Sequence, residues 1–185
     1  MELIVSVGIF AIVMTVVAST YITLMSLDRQ ARATNQLVSS LSFAVDSMMR
    51  GIRTGTQFKC LNYADTYGNS NGTSGNCTQF SYKDSALTAA GSANNIVTFF
   101  KKTDGTIGRC ESSASCTTDA QASSLTDPAI TITSIVFRVR GVGPAALDEQ
   151  PQVLFTVKGT LPADNRGTIT SFVIEEGATQ RVIDL

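Results

Sequence analysis

Hydrophobic and polar positions change rhythm several times along the chain. From Leu3 to Leu27 the sequence LIVSVGIFAIVMTVVASTYITLMSL carries no charged residue. Its apolar side chains, among them Leu3, Ile4, Val5, Val7, Ile9, Phe10, Ile12, Val13, Val16 and Val17, cover every face of a helix drawn through it. About 25 residues at a rise of about 1.5 Å give about 37 Å of helix, enough to cross a bilayer core of about 30 Å. Residues 28–53 contain no Pro, and their first Gly is Gly51. Apolar or small residues recur there at Ala31, Thr34, Val38, Leu41, Val45, Met48 and Ile52, with steps alternating between three and four. That is a heptad stripe, and it predicts an amphipathic helix continuing the apolar one. Arg50 and Arg53 suit the last turns, where cations meet the negative end of the helix dipole. Gly51, Gly55 and the Thr-Gly-Thr run at 54–56 end the helix. The whole rod would be about 80 Å long, half protruding and half serving as the spine of a domain.

Residues 54–95 read as an irregular, polar surface loop dense in Asn, Gly, Ser and Thr. From residue 96 to 185 the period becomes two. Ile96 to Lys102 reads as a strand, Asp104-Gly105 as a two-residue turn, and Thr106 to Glu111 as the returning strand. Ile130 to Arg140 is the longest strand candidate. Ile130 and Ile132 share one parity and Ile135, Phe137 and Val139 the other, so a bulge is expected near Thr133-Ser134. Val153, Phe155 and Val157 alternate in the next strand, Leu161-Pro162 closes it, and Thr168 to Glu176 forms another. Strands joined by turns without intervening helices imply antiparallel pairing. The expected architecture is α+β: residues 1–27 an apolar helix, 28–53 its amphipathic half, 54–95 the loop, and 96–185 an antiparallel sheet domain.

Composition narrows the chemistry. The 185 residues carry 14 Lys+Arg and 15 Asp+Glu, a net charge of -1, which disfavours nucleic acid as a default partner. Zero His removes Ser-His-Asp and Cys-His catalysis and most zinc sites. No P-loop motif occurs. Asp148-Glu149 and Glu175-Glu176 are adjacent in sequence, so on a strand the two acids of each pair would point to opposite faces. No catalytic, cofactor or metal residue is therefore expected. The 4 Cys allow a disulfide framework, and Cys60–Cys77 and Cys110–Cys116 are the neighbouring pairs. Spacing alone leaves the other connectivities open. Asn71-Gly-Thr73 and Asn76-Cys-Thr78 match the N-glycosylation pattern.

The apolar segment admits more than one use. A cleavable secretory signal wants a positive charge before a shorter apolar run, whereas here Glu2 precedes the run and the first cation is Arg29. A plain single-pass anchor explains the length but gives Glu2 no role. The run Glu2-Leu-Ile-Val-Ser-Val-Gly-Ile-Phe10 resembles the opening of type IV pilins and of the pseudopilins of type II secretion. In that family a glutamate precedes an uninterrupted apolar helix near the mature N-terminus. The later order of amphipathic helix, variable loop, antiparallel sheet and Cys pairs also matches.

The resemblance implies a pilin-like fold and a structural subunit, inserted in the inner membrane and then polymerised through its N-terminal helix into a helical surface filament. It implies that Glu2 sets subunit register by pairing with a neighbour's N-terminal amine. It further implies a prepilin peptidase, an inner-membrane assembly platform and minor pilins as partners, besides copies of the chain itself. Pseudopilins and minor pilins of secretion or DNA-uptake systems share the design. A monomeric membrane-anchored binding domain is the alternative from another class. Two departures stand out. The family places a peptidase-cleaved Gly and several residues before the Glu, where one residue stands here, and many pilins interrupt the apolar helix with a Pro that this chain lacks. A more continuous helix is expected.

Overall fold

A single helix, α1 (Glu2–Thr54), passes without a break through the apolar and the amphipathic segments. The fold comes from a computed structural model that describes residues 2–61, 75–112, 116, 118–141, 150–162 and 169–181. At about 1.5 Å per residue, α1 is about 80 Å long. With no Pro inside it, every turn keeps its hydrogen bonds, and Gly8 does not break it. Glu2 lies in the first turn, where a carboxylate suits the positive end of the dipole. At the other end Arg53 O accepts from Arg181 N at 2.9 Å, and Thr54 O accepts from Ser85 Oγ at 2.8 Å. Two carbonyls that the helix cannot satisfy internally are thus taken up by the domain.

The buried stripe of α1 is Leu37, Leu41, Ala44, Met48, Gly51 and Ile52. This corrects the heptad expectation. Leu41, Met48 and Ile52 belong to the core and Val45 is half-buried, but Ala31, Thr34 and Val38 are exposed. A 3.5-residue repeat drifts around a straight helix by about 20° per heptad, so only a supercoiled partner keeps it in view. The domain follows the straighter line back to Ala33, where packing begins. Gly51 makes a close approach possible: a Cβ there would sit 2.0 Å from Tyr82 Oη.

Two antiparallel sheets take the place of the single expected one. The strands β1 (Gly55–Leu61), β2 (Gly75–Cys77), β3 (Gln79–Asp84), β4 (Ile96–Lys101), β5 (Ile107–Ser112), β6 (Ser123–Ser124), β7 (Thr131–Arg140), β8 (Gln152–Pro162) and β9 (Ile169–Thr179) divide between them. The order is β1-β3-β4-β5-β6 in one and β2-β7-β8-β9 in the other. Much of 54–95 is therefore not irregular: it supplies β1, β2, β3 and the short helix α2 (Ser85–Ala89), capped by Asp84. Alternation is hidden in β3 because both of its faces are covered. Gln79 and Ser81 are buried beside Phe80 and Tyr82, and Gln79 Nε2 donates to Cys116 O at 2.8 Å.

Other expectations hold in detail. β7 bulges between Ile132 and Ser134, and Ile132, Ile135, Phe137 and Val139 are all buried. Val153, Phe155 and Val157 face the same core. The turn at Asp104-Gly105 differs from the two-residue form. Gly105 alone takes a positive φ (82°), Gly105 N donates to Lys102 O at 3.1 Å, and Lys102 N donates to Thr106 O at 2.9 Å. The connection is thus three residues long, with glycine in the left-handed position.

The core joins α1 to both sheets. Phe80 of the five-stranded sheet stacks on Phe137 of the four-stranded one at 5.5 Å, and Phe58 packs on Phe80 at 5.5 Å. Both neighbouring Cys pairs are bonded. Cys60–Cys77 ties β1 to β2 and so clamps one sheet to the other. Cys110–Cys116 closes over a smaller cluster with Phe100.

Candidate assembly surface

Where α1 leaves the domain is fixed by polar contacts. Gln36 Nε2 donates to Asp127 Oδ2 at 2.7 Å, and Asp127 N donates to Ser40 Oγ at 3.0 Å. The same carboxylate accepts from Ala129 N, and that bond, together with the one from Gln36, holds Asp127 below the usual carboxylate range. Everything N-terminal to Ala33 stands clear of the sheets. Asp28 and Arg32 form an i,i+4 ion pair at 2.9 Å at the polar end of the free segment.

Between Leu3 and Leu27 the domain covers nothing. The ten residues Leu3, Ile4, Val5, Val7, Ile9, Phe10, Ile12, Val13, Val16 and Val17 are 52–81% exposed. Fully burying a large apolar side chain stabilises by about 1.5–3 kcal/mol, so these ten, each more than half exposed, leave on the order of 10–20 kcal/mol unrealised. A typical domain has a net stability of about 5–15 kcal/mol. The segment therefore requires an apolar surrounding, and it is long and apolar enough to cross a membrane.

Its Ser and Thr hydroxyls need nothing from outside. Ser6, Thr15, Ser19, Thr20, Thr23 and Ser26 each donate to a carbonyl three or four residues earlier, at 2.7–3.0 Å. In a medium without water an unpaired hydroxyl is costly, and here each is paired within the helix itself. Glu2 is the ionisable group at the start of this otherwise uncharged rod. At mid-bilayer an acidic group costs about 2.5–3.5 kcal/mol on the insertion scale, so its placement at the first turn matters.

The other sequence-predicted positions fall elsewhere. Asn76 is exposed on β2, opposite Arg138, while Asn71 and the Asp148-Glu149 pair lie outside the described residues. Glu175 and Glu176 are both exposed on β9. Tyr82, buried beside Arg109, has its phenol pKa pushed well up by that burial. Among the described residues no group of three or more His, Cys, Asp or Glu side chains could hold a metal. Sequence reading missed the Gln36–Asp127–Ser40 latch, because Asp127-Pro128 signals a turn without revealing its distant partner. It also missed a groove of 870 Å³ between α1 and α2, with Phe43, Arg50 and Tyr82 among its lining residues. No family model, curated protein or solved structure matches the chain.

Proposed function

We propose that this chain is a structural subunit of a type IV pilin-like filament. The observation that carries the reading is the exposed, charge-free half of α1 running without interruption into the spine of a disulfide-bonded β domain, with Glu2 at its tip. Before assembly the span at 3–27 rests in the inner membrane. A prepilin peptidase processes its start, and an inner-membrane platform passes the subunit to the growing fibre. The apolar rods then bundle with one another, so their surface goes from lipid to protein and never meets water.

Glu2 gives this transfer a register. In a bundle of low dielectric an unmatched carboxylate is penalised, so a subunit staggered by a turn is rejected. The matching group is the N-terminal amine of a neighbour. The pair specifies position more than it adds net stability. The β domain forms the fibre's outside, where the two disulfides suit an oxidising, extracellular setting.

Electron microscopy of mechanically sheared surface material, with mass spectrometry of the chain's N-terminus, tests the reading. Fibres containing this chain are expected. If it dominates them it is the major subunit, and if it is scarce it is a minor pilin or pseudopilin. Recovery solely as solitary molecules in membrane contradicts the reading and favours an anchored binding domain.

A further inference from the structure

Among the described residues beyond Leu27, the large apolar side chains that stand most exposed are Val38, Phe43, Ile169 and Val173. Two of these form separate patches on opposite kinds of surface. Phe43, 64% exposed, sits at the lip of the groove between α1 and α2. Val173, 63% exposed, lies on the outward face of β9, the edge strand of its sheet among the described residues, with Ile169 two repeats away on the same face.

The charges beside the two patches are complementary. In the groove, Asp46 and Arg50 lie one and two turns beyond Phe43. On the sheet, Lys158 of β8 stands directly opposite Val173, and Glu175 is two residues along β9. All four charged residues are exposed, and none makes an ion pair with a described residue. The groove's other charges are engaged, Asp84 in capping α2 and Arg109 in a pair with Glu111, so each surface offers one apolar side chain beside one acid and one base that make no ion pair among the described residues.

Resting on the filament reading above, we infer that the β9 face of one subunit docks into the Phe43 groove of a second copy of this chain. Val173 meets Phe43, Glu175 faces Arg50 and Lys158 faces Asp46. The two patches are different, so the contact is heterologous: each subunit gives one surface and receives on the other. A contact of that kind propagates as an open helical array unless its rotation closes a ring. An isologous Phe43–Phe43 contact would instead close as a two-fold pair and would not propagate, which is why the sheet face is the better occupant. The domain surface would therefore carry its own polarity, independent of the apolar rods.

Engineered thiols test this, because the described cysteines are all disulfide-bonded and a new one reports alone. Full-length chains carrying Phe43→Cys without a tag and Val173→Cys with a tag are co-expressed, and sheared fibres are oxidised. The expected result is a mixed crosslinked dimer on a non-reducing gel that disappears on reduction. Fibres that form normally yet give no crosslink, or only Phe43→Cys pairs, overturn the docking and leave the filament reading intact. If the unaltered chain makes no fibres, the filament reading fails and the docking with it.

Charge reversal supplies a second readout. Arg50→Glu alone or Glu175→Arg alone should lower fibre yield at least about tenfold, since like charges across an interface cost several kcal/mol. The double reversal should restore it. Failure of the double variant to recover, with its disulfides formed and its domain folded, also overturns the proposal.

Discussion

Asp104 shows how single side chains stabilise this domain. Its carboxylate accepts from Thr106 Oγ1 at 2.6 Å and from Thr106 N at 2.9 Å, and Lys102 Nζ lies 3.1 Å away. These bonds, with the Thr106 hydroxyl first, pull its pKa from 3.8 down to about 2. A carboxyl held lower in the folded than in the unfolded chain contributes stability above its unfolded value, and that contribution is lost as pH falls through the folded one. The window here runs from about pH 4 to about pH 2, and Asp127 acts in the same direction. Urea midpoints measured at pH 5 and pH 2 should therefore drop less in Asp104→Asn than in the unaltered chain. An equal drop in the two would remove Asp104 from the acid response. The same local logic governs the apolar rod, where each Ser and Thr hydroxyl bonds back to its own helix.

At the scale of elements, α1 serves two solvents. Its C-terminal half is held by core packing, so Met48→Ala should cost about 2–5 kcal/mol, the usual range for deleting a buried side chain. Val38→Ala should change stability by less than about 0.5 kcal/mol, because Val38 is exposed. Urea unfolding of both variants in detergent decides between the observed straight stripe and the heptad stripe that the spacing suggests. The disulfides hold the sheets. The loop of 17 residues closed by Cys60–Cys77 predicts a loss of about 3 kcal/mol for the double Ser variant, and the loop of 6 closed by Cys110–Cys116 about 2 kcal/mol. The β7 bulge and the inward faces of β7 and β8 are legible in the sequence because one face of each is core and the other is not. β3 is not, because burial on both faces puts Gln79 and Ser81 inside and erases the alternation. The split into two sheets is also illegible, since it depends on Cys77 and its neighbours pairing with β7 far along the chain.

The whole molecule is a folded head on a rod that cannot stand in water. The rod and its glutamate are plain in the sequence, because an uncharged run of this length has few uses. The groove at Phe43 and the face at Val173 are not, because exposure depends on how α1 rotates against the sheets and on which strand ends at an edge. In the proposed filament the rods shelter one another and Glu2 sets their stagger. Expressing Glu2→Ala in place of the unaltered chain and imaging sheared material tests this. The expected variant inserts in the membrane with both disulfides formed but yields fibres at a small fraction of the unaltered level. Fibres of unchanged number and helical symmetry from Glu2→Ala would contradict it.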